Sequence, residues 1–210
     1  MINFIQKGKL SKQEVELLER DMRIYQSLSV KGEVTKEGGT YDSTFRECDI
    51  HFIDPYRFPN TAQILQSTVI ESYHNIYPHF DYGRVSSFQY VKYDEGGFFK
   101  LHNDTIKNPP NYQRVLTLSI NLTDEENYEG GLLVVHDPVT KTKIHCSKEK
   151  GSFMIFPAFL GHEAAVVTSG TREAVVTWLL TDIDHSTVFK QYYEDQKLQI
   201  NSQINRSKQR

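Results

Sequence analysis

A series of short β-type runs between residues 84 and 183 constrains the fold of this chain more than any other sequence feature. Each run is rich in Val, Ile, Thr, Phe and Tyr, and Gly, Asn, Asp or Pro residues separate it from the next. Seven or eight short strands at this spacing are typical of an all-β sandwich or barrel, and not of a βαβ fold. The runs are RVSSFQYVKY, RVLTLSINLT, GGLLVVHD, TKIHCS, GSFMIFPA, AAVVTS and REAVVTWLLTDI.

The run at residues 114–123 shows the clearest alternation of polar and apolar side chains. One face carries Val115, Thr117, Ser119 and Asn121, and the other carries Leu116, Leu118, Ile120 and Leu122. Because successive side chains of a strand point to opposite faces, a strand of this kind can back a core and line a wet cavity.

Helical patterns flank this β-rich region. Residues 11–28 open with a Ser-x-x-Glu capping box and continue with apolar residues at helical spacing, and residues 60–77 begin with an Asn cap and show the same periodicity. Residues 31–44 are polar and Gly-rich and are interpreted as a loop. Residues 185–210 again have a helical pattern, and the polar, basic last ten are expected to fray.

We therefore predict a mainly β fold with flanking helices, a single domain over residues 1–210. Residues 1–83 are expected to form a mixed N-terminal support, 84–182 the core, and 183–210 a C-terminal helix and tail. No internal repeat and no Pro/Gly/Ser linker divides the chain.

Composition excludes several classes of protein. The chain has 210 residues, 24 Lys plus Arg and 27 Asp plus Glu, so its net charge of −3 gives no general attraction to nucleic acid or anionic membranes. Its two cysteines, Cys48 and Cys146, form no CxxC pair and favour a reducing compartment. No apolar run of about 18 residues occurs, and the first residues do not resemble a secretory signal. We therefore expect a cytoplasmic protein without nucleic-acid or membrane partners.

Three side chains have the spacing of a metal site. His102 and Asp104 stand two residues apart after an aromatic, strand-like stretch, so on an extended backbone they point the same way. His162 follows about sixty residues later, at the end of an apolar run, and is the best candidate for a third ligand. Two imidazoles and one carboxylate on one face of an octahedral ion leave positions open, as in non-haem Fe(II) oxygenases.

Arg172 is the second chemical signal. It lies ten residues beyond His162, at the start of an otherwise apolar β-run. A buried Arg requires an anionic partner, and its planar guanidinium can bind a carboxylate through two parallel hydrogen bonds. The position therefore suits the distal carboxylate of a dicarboxylic acid.

Residues 84–182 resemble the 2-oxoglutarate/Fe(II)-dependent dioxygenases, and within them the prolyl 4-hydroxylase-like branch. The resemblance is carried by YDEGGFFKLHND, RVLTLSINLT, EGGLLV, KGSFMIFP and the pattern GH-x9-R that precedes TW. It implies a double-stranded β-helix, a jelly-roll or cupin-like fold. It also implies Fe(II) as cofactor and 2-oxoglutarate and O2 as co-substrates, and it allows ascorbate as a reductant.

The resemblance also implies roles for individual residues. The metal ligands would be His102, Asp104 and His162, and no catalytic residue is expected beyond the metal centre. The co-substrate would be bound by Arg172, Tyr93, Asn121 and Thr117, although many relatives carry Tyr at the position of Asn121. Trp178 matches a common aromatic residue on the final strand, which walls the site or packs. The loops at residues 31–50 and 103–113 are long enough to cover the site, so Arg46 and Tyr112 within them are, with Trp178, the candidate contacts to the primary substrate.

The primary substrate stays open at this point. A prolyl residue in a peptide or protein is the first hypothesis, and a free amino acid or another small molecule is the alternative. A non-catalytic cupin-like binding module and a zinc hydrolase are further candidates, but the complete ligand set argues against the first and the lack of a role for Arg172 against the second. The sequence leaves the oligomeric state open. His136 and Asp137 adjoin each other and are predicted to be structural, and Gly130-Gly131 is predicted to form a tight turn or bulge.

Overall fold

The computed structural model describes residues 4–34, 40–76, 84–105, 113–181 and 185–207. The predicted β-rich architecture with flanking helices is confirmed. The strands are β1 Gln6–Lys9, β2 Glu33–Val34, β3 Thr40–Tyr41, β4 Arg46–Glu47, β5 Asp49–Ile53, β6 Arg84–Val85, β7 Phe88–Tyr93, β8 Phe98–His102, β9 Gln113–Asn121, β10 Tyr128–Gly130, β11 Leu133–His136, β12 Lys143–His145, β13 Ser152–Pro157, β14 His162–Ala164, β15 Val167–Gly170 and β16 Arg172–Thr181. The α-helices are α1 Lys12–Met22, α2 Pro59–Ile76 and α3 His185–Ser207.

Two antiparallel sheets build the double-stranded β-helix. The larger sheet has the order β1-β13-β9-β16-β7-β5, with β6 pairing to β16, and the smaller sheet has the order β12-β11-β14-β8-β4. The pairs β10-β15 and β2-β3 form two-stranded additions. Most neighbours in both sheets are distant in sequence, apart from the consecutive strands β11 and β12.

The alternation predicted for residues 114–123 separates the core from a cavity. In β9, Leu116, Leu118 and Ile120 are fully buried in a cluster that also contains apolar residues of α1 and α2. Thr117 and Ser119, on the opposite face of the strand, line a pocket between the sheets. The helices therefore cover the outer face of the larger sheet and leave its inner face for polar chemistry.

The first helix begins as the sequence predicts. Ser11 accepts a hydrogen bond from the Glu14 backbone N–H, and the Glu14 carboxylate accepts one from the Ser11 N–H, which completes the capping box. The second helix begins one residue earlier than predicted, at Pro59, so the expected Asn60 cap is wrong. Proline suits the first turn of a helix because it lacks the N–H that would be left unpaired there.

The structure corrects three further expectations. The predicted loop at residues 31–44 contains the short hairpin β2-β3, whose two-residue strands are too short to show a period. The run AAVVTS is divided between β14 and β15, which belong to different sheets. The predicted frayed end is helical through Ser207, because residues 201–207 contain neither Gly nor Pro.

Two structural interpretations are confirmed. His136 pairs with Glu163 at 2.9 Å, and Asp137 accepts hydrogen bonds from the backbone N–H groups of the turn that follows it. Gly130 and Gly131 both have positive φ, and the strand register shifts beside Gly130. None of the helices in the described ranges combines the length and apolar character needed to span a membrane.

Candidate active site

Two strands of the smaller sheet bring the three predicted metal ligands together. His102 is the last residue of β8 and His162 the first of β14, and the two are direct partners across the antiparallel pair. Asp104 follows β8, where its backbone N–H donates to the Ala158 carbonyl at 2.9 Å. The ligand atoms of the three side chains all lie within 4.8 Å of one another. The expectation that His162 ends an apolar strand is wrong, because β13 ends at Pro157 and a turn intervenes.

The hydrogen bonds of the two histidines determine which nitrogen faces the site. Nδ1 of His102 lies 2.7 Å from the Lys100 carbonyl oxygen, and Nδ1 of His162 lies 3.0 Å from that of Leu160. Because a carbonyl oxygen only accepts, each Nδ1 carries a proton, and in the neutral form of each ring the lone pair is on Nε2. The Nε2 atoms lie 3.6 Å and 3.4 Å from the Asp104 carboxylate oxygens. This arrangement fits a metal ion between the three groups.

Electrostatics favour the metal-binding protonation states of His102 and Asp104. Burial alone would lower the pKa of His162, but the Asp104 carboxylate raises it above its ordinary value, so a metal ion would compete with a proton at this residue. Burial, and secondarily the adjacent His162, lower the pKa of His102 to about 4. Burial alone would raise the pKa of Asp104, but His162, His102 and the Trp178 N–H together hold that pKa well below its usual range. A neutral imidazole and an ionised carboxylate are the metal-binding forms. Two such nitrogens and one carboxylate oxygen, with other positions open, are a donor set that fits Fe(II).

One carboxylate oxygen of Asp104 is bound by the larger sheet. Oδ2 accepts a hydrogen bond from the Thr117 hydroxyl at 2.8 Å and another from the Trp178 indole N–H at 2.9 Å. The Arg114 guanidinium lies 3.6 Å from the centre of the Trp178 ring. Thr117 and Trp178 also line the pocket, but their side-chain hydrogen bonds orient the ligand carboxylate and leave Oδ1 for the metal.

Trp178→Phe is expected to weaken metal binding about ten- to hundredfold, because it keeps an aromatic ring but removes the N–H that orients Asp104. Thr117→Val should weaken it similarly. Titration of the metal-free protein with Mn(II) or Zn(II) measures both effects. The exposed Thr168→Val in β15 is the matched control for the second variant. Unchanged metal affinity in both Trp178→Phe and Thr117→Val would contradict this role.

The triad lies in a pocket between the two sheets. The lining of this pocket also includes apolar side chains and the polar residues Arg46, Gln89, Ser119 and Arg172. A small polar molecule that binds the triad therefore lies within a largely enclosed, partly apolar space.

Arg172 occupies this same pocket, as the first residue of β16, and is only 5% exposed. Its guanidinium lies 5.5 Å from the Tyr93 ring centre, and Tyr128 makes a side-chain hydrogen bond to it. Among the described residues, no carboxylate lies within 4 Å of the guanidinium. Burial raises the pKa of Tyr93 to about 12, so this phenol is a neutral donor at physiological pH. A buried cation without a protein carboxylate is a site for an anionic ligand.

The Arg46 guanidinium packs on the Phe99 ring, which in turn stacks on the metal ligand His102. The Arg46 guanidinium lies 4.4 Å from the centre of the Phe99 ring, and Phe99 stacks on His102 with ring centres 3.5 Å apart. Nε of Arg46 also donates to the Cys48 sulfur at 2.9 Å. Cys48 therefore accepts a hydrogen bond from a pocket residue.

Two predicted site residues are not placed in the pocket. The Asn121 amide donates to the backbone carbonyls of Thr123 and Lys148, and its side chain is not part of the pocket lining. The strand alternation is kept at this position, but the side chain closes a neighbouring turn. Tyr112 lies outside the described residues.

Sequence reasoning missed several residues of the site. Gln89 shares its face of β7 with Tyr93, and Ser119 shares its face of β9 with Thr117, so strand parity was the signal that could have identified both. Arg114 had no such signal, because its position depends on the ring of Trp178 in a neighbouring strand.

The fold and the donor set together define a class of protein, the 2OG-Fe(II) oxygenases. Residues 88–180 match the family model described as the 2OG-Fe(II) oxygenase superfamily.

Individual proteins agree with this assignment. A PKHD-type hydroxylase of Parvibaculum lavamentivorans is 34% identical over 103 residues, which are 47% of this chain and 45% of that protein. The chain thus spans about half the length of the curated relatives that it matches.

Solved structures are similar in fold over more of this chain than the family model covers. A prolyl 4-hydroxylase of Pseudomonas putida superposes with a TM-score of 0.67 at 16% identity, covering 84% of this chain and 92% of the other. A Trichoplax adhaerens prolyl hydroxylase, in complex with a hypoxia-inducible-factor peptide fragment, gives a TM-score of 0.66 at 17% identity, covering 84% and 83%. The fold is therefore that of the prolyl 4-hydroxylase-like branch.

Proposed function

We propose that this protein is an Fe(II)- and 2-oxoglutarate-dependent dioxygenase that hydroxylates an unactivated C–H bond and releases succinate and CO2. The observation that carries the proposal is the convergence of His102, Asp104 and His162 with the buried Arg172 in one pocket. A zinc hydrolase or a simple binding module would have no evident need for a buried, carboxylate-free guanidinium beside the metal ligands.

The residues of the pocket have separable tasks in this reaction. Bound Fe(II) would supply the redox chemistry with O2 and 2-oxoglutarate, which the side chains cannot perform. His102 and His162 would present their Nε2 atoms to the metal, and Asp104 would present one oxygen while Thr117 and Trp178 bind the other. The apolar side chains around the triad limit the access of water to it.

At the other end of the pocket, Arg172 would bind the distal carboxylate of 2-oxoglutarate. Its guanidinium can donate two parallel hydrogen bonds, and burial strengthens such charge-assisted bonds. The neutral Tyr93 phenol, which adjoins Arg172 across the β16-β7 pair, would add a donor. Asn121, bound to two backbone carbonyls, has no part in this proposal.

We propose a prolyl residue in a peptide or protein as the primary substrate. The likeness to the Trichoplax adhaerens prolyl hydroxylase, which was solved with a peptide fragment, supports this class. Arg46, on the smaller sheet, and Trp178, on the larger sheet, both line the pocket and are candidate substrate contacts. Tyr112 stays a prediction.

The functional core proposed here is residues 84–182, supported by the flanking segments 1–83 and 183–210 within one domain. We also propose a cytoplasmic location, and the two buried free cysteines, Cys48 and Cys146, agree with a reducing compartment.

A combined turnover and product assay tests the function. The protein, reconstituted with Fe(II) without oxygen, is then supplied with 2-oxoglutarate and air, and succinate is measured with and without candidate substrates. Proline-containing peptides and free amino acids are screened in parallel for products heavier by one oxygen atom. Succinate together with an oxygenated peptide is the expected result.

Each alternative predicts a different outcome of the same assay. An oxygenated free amino acid, with unmodified peptides, would assign the small-molecule alternative. If neither coupled nor uncoupled succinate formation occurs in Fe(II)-loaded protein, the dioxygenase proposal is wrong and a binding module is favoured.

A further inference from the structure

A β-bulge in β8 places Phe99 on the same face of the strand as the metal ligand His102. Residues three apart on a regular strand point to opposite faces. Across the β8-β14 pair, however, His102 faces His162 and Phe99 faces Ala164, so the register shifts and two residues of β8 oppose one of β14. Phe99 and His102 therefore both line the pocket.

The Phe99 ring covers one face of the His102 imidazole. The two ring centres lie 3.5 Å apart and the ring planes are inclined by 19°, which is a stacked arrangement. The other histidine ligand is supported differently, because the Phe156 ring meets His162 at 60° with ring centres 4.8 Å apart. Two contacts therefore fix the plane of the His102 imidazole: the hydrogen bond from Nδ1 to the Lys100 carbonyl and the Phe99 ring.

Arg46 holds the Phe99 ring from the neighbouring strand. The two residues are direct partners across the β4-β8 pair, and the guanidinium lies over the ring, 4.4 Å from its centre. A cation in this position is attracted by the negative charge of the ring face. Arg46 is itself held by the bond from Nε to the Cys48 sulfur, and a Cβ atom at Gly32 would come within 2.8 Å of that Nε. The glycine thus leaves the room that the Arg46 side chain occupies.

We propose that Phe99 and Arg46 are positioning residues for the metal centre. Phe99 fixes the plane of the His102 imidazole so that Nε2 faces the ion, and Arg46 holds Phe99 in place. This inference rests on the proposed function, because it assumes that His102 binds a metal ion. It gives Arg46 a task that precedes any contact with the primary substrate, so metal binding without substrate should depend on two residues that are not ligands.

Titration of the metal-free protein with Co(II), without 2-oxoglutarate or primary substrate, tests the role of Phe99. Phe99→Leu keeps an apolar side chain but removes the stacked ring, and it should weaken Co(II) binding about tenfold. Phe99→Tyr keeps the ring and should bind Co(II) as the unmodified protein does. Phe98→Leu, at the neighbouring position of β8 with similar burial, is the matched control and should also bind normally.

The same titration tests whether Arg46 acts through Phe99. Arg46→Met removes the cation above the ring and should weaken Co(II) binding about two- to fivefold. Because the effect passes through the ring, the double variant of Arg46→Met and Phe99→Leu should bind Co(II) no more weakly than Phe99→Leu alone. Cys48→Ala removes the sulfur that Arg46 contacts but leaves the stacked rings, so it controls for the lost hydrogen bond and should bind normally.

The visible absorption spectrum of bound Co(II) separates positioning from a merely structural role, because it depends on the geometry of the ligands around the ion. At saturating Co(II), the spectrum should change in Phe99→Leu and stay the same in Phe99→Tyr and Phe98→Leu.

Three results would overturn the inference and leave the proposed function standing. They are an unchanged Co(II) affinity and spectrum in folded Phe99→Leu, additive losses of affinity in the double variant, and normal Co(II) affinity in Arg46→Met. The last result decides the question even if circular dichroism shows that Phe99→Leu does not fold. If the unmodified protein itself does not bind Co(II), the proposed metal centre fails together with the inference.

Discussion

His162→Ala is expected to reduce metal affinity by more than about a hundredfold and to abolish 2-oxoglutarate-dependent succinate formation. The substitution leaves a site with one imidazole and one carboxylate, and even the loss of a residue that only supports a ligand costs ten- to hundredfold. Titration with Fe(II) under anaerobic conditions, followed by a succinate assay, measures both effects.

The control for this variant is His145→Ala, which removes an exposed histidine at the end of β12. It should leave metal binding and turnover unchanged. Circular dichroism establishes whether His162→Ala is folded, and added imidazole, which can occupy the space of the missing ring, should restore part of the metal binding. A folded His162→Ala protein with full metal affinity would remove this residue from the ligand set.

Arg172→Met is expected to raise the dissociation constant of 2-oxoglutarate roughly a hundredfold or more. Removing one partner of a buried, hydrogen-bonded charge pair costs about 2–5 kcal/mol, and each 1.4 kcal/mol corresponds to a factor of ten. Metal affinity should be unchanged, because Arg172 does not contact the triad. Direct titration of the Zn(II)-loaded protein with 2-oxoglutarate measures the affinity.

Thermal unfolding without co-substrate distinguishes ligand binding from a structural role of Arg172. A buried cation without a carboxylate partner carries an uncompensated desolvation cost, so Arg172→Met should unfold at no lower a temperature than the unmodified protein. The exposed Arg23→Met is the matched control. Normal 2-oxoglutarate affinity with a reduced unfolding temperature would make Arg172 a structural residue.

Elements that are specified by local sequence patterns could be predicted from the sequence. The strand alternation around Thr117 and the capping box at Ser11 both depend on neighbours within a few residues, and both are found in the structure. The metal triad was predictable because His102 and Asp104 are two residues apart on a strand-like stretch and the remaining ligand follows a recognisable family pattern. Short-range patterns and family motifs therefore carried most of the fold and the centre of the site.

Features that depend on pairing between distant strands were not predictable in this way. The bonds from Thr117 and Trp178 to Asp104 require the register of β9 with β16 and the position of the loop after β8. Asn121 has the correct strand parity, but its amide is bound by carbonyl groups that a nearby turn and a distant segment provide. Tertiary contacts decide whether such a side chain lines the pocket or bonds to nearby backbone groups. Strand alternation alone does not distinguish these two outcomes.

The cross-strand partnership of His102 and His162 has a consequence for the stability of the fold. An ion held by both residues would cross-link segments that are sixty positions apart, and Asp104 would extend the link to the opposite sheet through Trp178. Because such an ion binds the folded chain only, the metal-loaded protein should unfold at a higher temperature than the metal-free protein.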